Sequence, residues 1–211
     1  MADGAYHTTR FAHDPRRALL WRTLVECVFQ KDIPPDAAVL DLGAGYGDFI
    51  NAVKARRRLA VDIWPGMLSH LDKGVEGLVT GVAQLDALTD ASLDYVFSSN
   101  CFEHISQDEL VRCLGQLQRK MKPGARLTIV QPNFTYSFRQ YFDDYTHVSI
   151  YTAQGLSDLL AANGFRVVRC LPRFLPLTIK SRLPVSPLFI RLYLLSPIKP
   201  FAGQMLVSAI R

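Results

Sequence analysis

The stretch that most constrains this chain is Ala37 to Ile50, AAVLDLGAGYGDFI, where an apolar run enters a turn punctuated by glycine at 43, 45 and 47. Val39, Leu40 and Leu42 read as a parallel strand buried on both faces. Gly43, Gly45 and Gly47 permit backbone geometry, and close approach of a ligand, that a β-carbon would block. A helix is expected to follow from Asp48 to about Arg57. Strand, glycine turn and helix make the first crossing of a doubly wound sheet, in which ligands sit at the carboxyl ends of the strands. The turn is therefore suited to a nucleotide-like ligand.

The rest of the chain continues the alternation. Asp14 to Gln30 carries Leu20, Leu24, Cys27 and Val28 at helical spacing behind an Asp-Pro start, an outer helix. Arg58 to Ile63 is the second strand, with a short helix in PGMLSHLDKG behind it, and VEGLVTGV is the third. Ser92 to Asn100 is the fourth, followed by a helix with a serine cap at Ser106 and a Pro-Gly stop. ARLTIVQPN is the fifth, TAQGLSDLLAANG a further helix, FRVVRCL the next strand and GQMLVSAI the last. This order predicts an α/β, Rossmann-like, doubly wound seven-stranded sheet, mostly parallel with an antiparallel last strand. Residues 1–36 are expected to form an amino-terminal helix or lid. Residues 37–211 form the main domain, with a proline-rich basic insertion at about 172–202.

At 211 residues, about half of them hydrophobic, the chain suits one domain with appendages. Cys27, Cys101, Cys113 and Cys170 form no CxxC pair and sit in apolar contexts, as reduced core thiols of a cytoplasmic protein would. No apolar signal core opens the sequence, and no run approaches the ~18 apolar residues of a membrane span. The net charge of +5 is uneven: no acid follows Asp158, and the eight positive residues beyond it leave the first 158 at −3. No basic patch interleaved with aromatics accompanies the glycine turn, which argues against a nucleic-acid partner.

The acids around the turn discriminate further. Asp41 precedes it, and Asp62 ends the second strand, where a carboxylate can accept both hydroxyls of a ribose. The glycines follow GxGxG, whereas a dinucleotide enzyme more usually shows GxGxxG. Together with SLDYVFSSNCFEHI and MKPGARLTIV, the run Asp-Leu-Gly-Ala-Gly-Tyr-Gly with its acidic strand end resembles the class I S-adenosylmethionine-dependent methyltransferases, in a small-molecule or carbohydrate branch of the type 11 kind. The resemblance implies S-adenosylmethionine as cofactor and S-adenosylhomocysteine as product. It implies Gly43, Ala44 and Gly45 against the amino-acid part of the cofactor, with Asp41 orienting the turn and the ammonium. It places Asp62 on the ribose, Ile63 beside the adenine, and Asn100 toward the methionine part. The acid that many relatives carry after strand three is missing here, where Val82 stands, so backbone groups near Val82 and Ala83, with Gln84, are expected to meet the adenine.

Methyl transfer chiefly needs alignment, but an alcohol acceptor must also lose a proton, which a neutral imidazole can take. His104, beside Glu103 just past strand four, is one candidate base. His147, in a loop with Tyr141, Asp143, Asp144 and Tyr145, is the other, with Asp144 as its orienter. Both segments also read as ordinary structure, a packed histidine and a helix-entry loop whose Asp and Thr satisfy backbone donors. Adjacent Asp143 and Asp144 are poor evidence for a metal, and no metal is expected. The tail from Leu171 to Phe201 mixes aromatics, leucines and basic residues, and fits a lid, an oligomer contact such as a homodimer, or the surface of an anionic membrane. The expected activity is methyl transfer to the oxygen of a small molecule or sugar. The rivals are N- or C-methylation, a non-catalytic subunit that binds the cofactor or a partner, and a dehydrogenase.

Overall fold

A computed structural model describes residues 12–177 and 186–211; residues 1–11 of the expected lid, and Lys180 and Arg182 of the basic tail, lie outside them. The strands are β1 (Ala38–Leu42), β2 (Arg57–Asp62), β3 (Val75–Val79), β4 (Leu93–Ser99), β5 (Met121–Pro132), β6 (Arg166–Pro176) and β7 (Ala202–Ile210). They form one sheet ordered β3-β2-β1-β4-β5-β7-β6. Every pairing is parallel except those of β7, which runs antiparallel to both β5 and β6. The strand order reverses between β1 and β4, which opens a crevice at their carboxyl ends.

The helices are α1 (Arg16–Leu24), α2 (Asp48–Ala52), α3 (Gln107–Lys120), α4 (Phe134–Ser137), α5 (Ala153–Ala162) and α6 (Pro187–Leu195). Because side chains alternate along a strand, each central strand feeds two cores. Leu40, Leu42, Val96, Leu127 and Val207 pack on one face with Leu110, Leu114 and Leu117 of α3 and Leu156 and Leu160 of α5. Val39, Phe97, Val130 and Leu206 face the other way, against Trp21 and Leu24 of α1 and Phe49 and Ile50 of α2. Phe97 lies at the centre of this second core, stacked on Phe49 at 3.8 Å, with Trp21 and Phe29 edge-on at 5.5 and 5.1 Å. Coverage on both faces explains the continuous apolar runs.

Three elements differ from the sequence expectation. Helix α2 stops at Ala52, five residues short of Arg57, because Gln30 takes over the backbone of Lys54: its side chain accepts from the N–H and donates to the carbonyl, both at 2.9 Å. Beyond α1 the chain winds through a π-turn at Val25–Phe29 and a 3-10 turn at Gln30–Asp32. The Pro-Gly after α3 is not a separate stop. The chain extends directly at Met121, and Pro123 and Gly124 fall within the irregular start of β5.

Gly43 shows why the turn needs glycine. Its φ is +76°, and an added Cβ would lie 2.5 Å from Cys101 Sγ and 2.8 Å from Cys101 Cβ. Left-handed backbone and overpacking together predict that Gly43→Ala destabilises the protein by roughly 2–5 kcal/mol. Thermal unfolding checks this, with part of the loss recovered when Cys101 is also replaced by Ala.

Candidate active site

The glycine turn is fastened to the end of β2. The N–H groups of Gly43 and Ala44 both donate to the Val61 carbonyl, at 2.8 and 3.0 Å. Asp62 Oδ2 accepts from Gly45 N–H at 2.7 Å, and Oδ1 accepts from Trp64 N–H at 2.8 Å. Asp62 thus builds the turn, while each oxygen keeps lone-pair capacity for a further donor. Asp41 is buried near it. Burial first, and then the charge of Asp62, pushes the Asp41 carboxyl well above the ordinary carboxylate range. Two neighbouring carboxyl groups, one of them deeply buried, form a site that a cation relieves.

The segment after β3 closes this end of the crevice. Thr80 N–H donates to the Asp62 carbonyl at 3.0 Å, and Gln84 N–H to that of Gly81 at 2.9 Å. Val82 is buried in the core, so its backbone is what remains to meet a ligand, and Ala83 packs beside it. Ile63 is exposed at the strand end, an apolar side chain without cover. Across the crevice Asn100 takes a left-handed backbone, φ +49°, with its N–H donating to the Val130 carbonyl at 2.8 Å. Asn tolerates that conformation better than most residues, and such strain is concentrated at functional sites.

The two candidate histidines, 43 positions apart, come together here, their ring centroids 4.9 Å apart. The Glu103 carbonyl accepts from Val148 N–H at 2.9 Å and Ser149 N–H at 3.1 Å, and Ser149 Oγ donates to the Ile105 carbonyl at 2.6 Å. These bonds join the loop after β4 to the loop before α5. Asp144 reaches His104 through Thr146. Thr146 Oγ1 lies 2.5 Å from Asp144 Oδ1 and 2.9 Å from His104 Nδ1. A carboxylate only accepts, so the Thr146 hydroxyl donates to Asp144 and accepts from His104 Nδ1–H. His147 Nδ1 lies 2.6 Å from the Tyr141 carbonyl, to which it donates. In its neutral form a ring that donates from Nδ1 carries its lone pair on Nε2.

Electrostatics agree with that assignment. Burial, and then the neighbouring His147, lowers His104 to about 4, so the ring is neutral. Burial raises Asp144, but the Thr146 hydroxyl and N–H, with the two histidines, outweigh it and hold the carboxyl below its ordinary value. Thr146 was not legible as a site residue, since only the folded chain puts it between Asp144 and His104. An aromatic group against the glycine turn was also missed: Tyr46 packs edge-on to Trp64 at 5.1 Å and to His70 at 4.8 Å. Its one sequence signal is that Tyr46 lies inside the turn and Trp64 two residues past Asp62.

A groove of about 900 Å³, lined by Gln30, Pro34, Val53 and Arg58 among others, lies at the opposite ends of β1 and β2 and has none of these groups. A smaller pocket of about 410 Å³, lined by Gln107, Val148 and Tyr151 among others, adjoins the histidine loops. The basic insertion narrows to 177–201, since β6 runs to Pro176 and β7 starts at Ala202. It therefore leaves and re-enters the sheet at the edge that carries the site. Within it, α6 packs Ile190, Tyr193 and Leu194 on the second core and exposes Leu188, Phe189, Leu192 and Leu195. No helix among the described residues is long and apolar enough to cross a membrane. The cysteines are not all core thiols: Cys113 is buried and Cys101 partly so, whereas Cys27 and Cys170 are exposed.

Residues 11–169 match the family described as methyltransferase domain. The chain belongs to that methyltransferase family. A curated relative, the malonyl-[acyl-carrier protein] O-methyltransferase of Methylococcus capsulatus, is 34% identical over 154 residues, covering 64% of this chain and 54% of that protein. The chain spans about half the length, or less, of the curated relatives it matches. A solved SAM-dependent methyltransferase from Archaeoglobus fulgidus superposes with TM-score 0.70 at 23% identity, covering 98% of each chain. The geranyl diphosphate C-methyltransferase of Streptomyces coelicolor gives TM-score 0.63 at 14% identity, covering 92% of this chain and 77% of that one. The chain therefore has the fold of the class I S-adenosylmethionine-dependent methyltransferases. O- and C-methylating enzymes both occur among its relatives and neighbours, so the acceptor has to be argued from the site.

Proposed function

We propose that this chain transfers the methyl group of S-adenosylmethionine to a hydroxyl oxygen of a small molecule or sugar. The observation that carries the reading is the pair of imidazoles, both presenting Nε2, at the end of the strand that follows the glycine turn in the sheet. The crevice fits a cationic cofactor: Asp62 supplies negative charge and acceptors for a ribose, Asp41 is a buried carboxyl that a bound cation would ionise, and Ile63 and the backbone of Val82 and Ala83 offer an adenine site. Gly43, Ala44 and Gly45 would face the amino-acid part, and Asn100 the methionine chain.

When bound, the cofactor supplies an electrophilic methyl carbon on a positively charged sulfur. The residues of the chain then have two tasks. The crevice holds the acceptor oxygen in line with that carbon, which is worth up to ~7–11 kcal/mol when alignment is good. His104 or His147 would take the hydroxyl proton at Nε2 as the acceptor oxygen accepts the methyl group. Asp144, through Thr146, stabilises the His104 ring as it becomes positive. Supplying methyl-labelled cofactor with a panel of hydroxyl, carboxyl, amine and carbon acceptors tests the reading, and label found only on nitrogen or carbon would overturn it. The malonyl relative makes a carboxyl oxygen part of that panel.

The outer face of α6 supports a peripheral membrane contact by the same chain. Leu188, Phe189, Leu192 and Leu195 are exposed in a segment that contains no acid after Asp158. Co-sedimentation with anionic vesicles is expected, weakened by salt and lost when Leu188, Phe189 and Leu192 are replaced by Ser.

A further inference from the structure

One group in the histidine cluster has no part in the transfer described above. Glu103 is 1% exposed, and neither of its carboxylate oxygens has a hydrogen-bond partner among the described residues. A buried carboxyl group without a hydrogen-bond partner is costly, and native proteins rarely keep one without a use. Burial lifts the Glu103 carboxyl to about 8, and the like charge of Asp144 adds to the rise, so the group favours its neutral form until a cation pairs it.

The same carboxylate faces two nitrogen donors. Glu103, His104 and His147 each offer one ligand atom, and these atoms lie within 4.8 Å of one another. Ligands at about 2.0–2.2 Å from a tetrahedral zinc ion are about 3.4 Å apart, so modest side-chain rotation brings the three onto one centre. The outer contacts are also those of a ligand set. His104 donates Nδ1–H to Thr146, which is backed by Asp144, and His147 donates Nδ1–H to the Tyr141 carbonyl. Hydrogen bonding of the far nitrogen fixes ring orientation and turns Nε2 toward a metal.

We propose that Glu103, His104 and His147 bind one divalent transition-metal ion of the zinc class beside the acceptor end of the crevice. Two imidazoles and one carboxylate suit zinc, iron or cobalt, whereas calcium requires six to eight oxygens and magnesium keeps an octahedral oxygen shell. A cation here pairs the buried Glu103 and lowers the pKa of a hydroxyl placed next to it. The inference deepens the reading of His104 and His147 as the acceptor side of a methyltransferase. The rings act as bases in the metal-free chain; in the loaded site their lone pairs would belong to the cation, which lowers the hydroxyl pKa in their place, and the acceptor proton would leave to solvent.

The test is titration of the tag-free, chelator-treated full chain with Co²⁺, followed by its visible absorption, and then with Zn²⁺ to displace it. One saturable site per chain is expected, with Mg²⁺ and Ca²⁺ failing to compete. Glu103→Gln and His147→Ala should each abolish the band, and Thr146→Val, which removes only the support of His104, should weaken binding about 10- to 100-fold. Binding of S-adenosylhomocysteine by each variant shows that it remains folded. Absence of a saturable site, or a band unchanged in Glu103→Gln, as from the stacked His13 and His70, overturns the proposal. Metal binding lost in Glu103→Gln without methyl transfer to any oxygen keeps the site and sinks the functional reading. Full transfer by metal-free protein that takes up no Co²⁺ does the reverse.

Discussion

Replacing His104 or His147 with Ala is expected to lower kcat for methyl transfer by about 10²- to 10⁴-fold, the range that loss of positioned proton transfer produces. The crevice proposed for the cofactor comprises the ends of β1, β2 and β4 and the 80–84 segment, so the Kd for S-adenosylhomocysteine should change less than about twofold. That split separates a role in chemistry from a role in packing, because a structural histidine would lower stability and cofactor affinity together. The double variant should fall well short of the product of the two single losses, since both rings act on one oxygen. Thr146→Val, with no atom added toward the acceptor, should reproduce part of the His104 loss. Full activity in both single variants would eliminate the two imidazoles from the mechanism.

Asp62→Asn should act on the other substrate. Asp62 is 9% exposed and accepts from two backbone N–H groups, one of them in the glycine turn. An amide can turn only its oxygen toward one of them and must present N–H to the other. Loss of a charge-assisted hydrogen bond is worth about 1.5–3 kcal/mol, so cofactor affinity should fall roughly 10- to 150-fold, with the acceptor KM little changed. Asp41 adds a pH dependence of definite sign. Its carboxyl is raised in the free chain, and a bound cation stabilises the ionised form, so binding lowers that pKa and releases protons. Cofactor affinity should then rise with pH until Asp41 is ionised in the free chain as well. Calorimetry in buffers of different ionisation enthalpy measures the released protons, and Asp41→Asn should abolish the release.

The parts of this architecture that are local in sequence were legible in it. Val39 to Gly47 declare a buried strand and its glycine turn within nine positions, and Asp62 declares the next strand end. The histidines were each visible, but as alternatives, because nothing in a linear sequence says that loops 43 residues apart share hydrogen bonds through Glu103 and Ser149. Thr146 and the isolation of Glu103 belong to that same tertiary contact. Helix α2 was overextended for a related reason: the side chain that ends it, Gln30, comes from before β1. Local apolar context likewise misled for Cys27 and Cys170, which lie on the outward faces of an apolar helical turn and an edge strand.

The most direct test is a crystal structure with S-adenosylhomocysteine bound. The ligand should lie across the glycine turn with its ribose on Asp62 and its adenine against Ile63 and the Val82–Ala83 backbone. Its sulfur should face Asn100, with room for an acceptor oxygen between it and the His104–His147 pair. Ligand density elsewhere, or a sulfur turned away from the two histidines, would contradict the account.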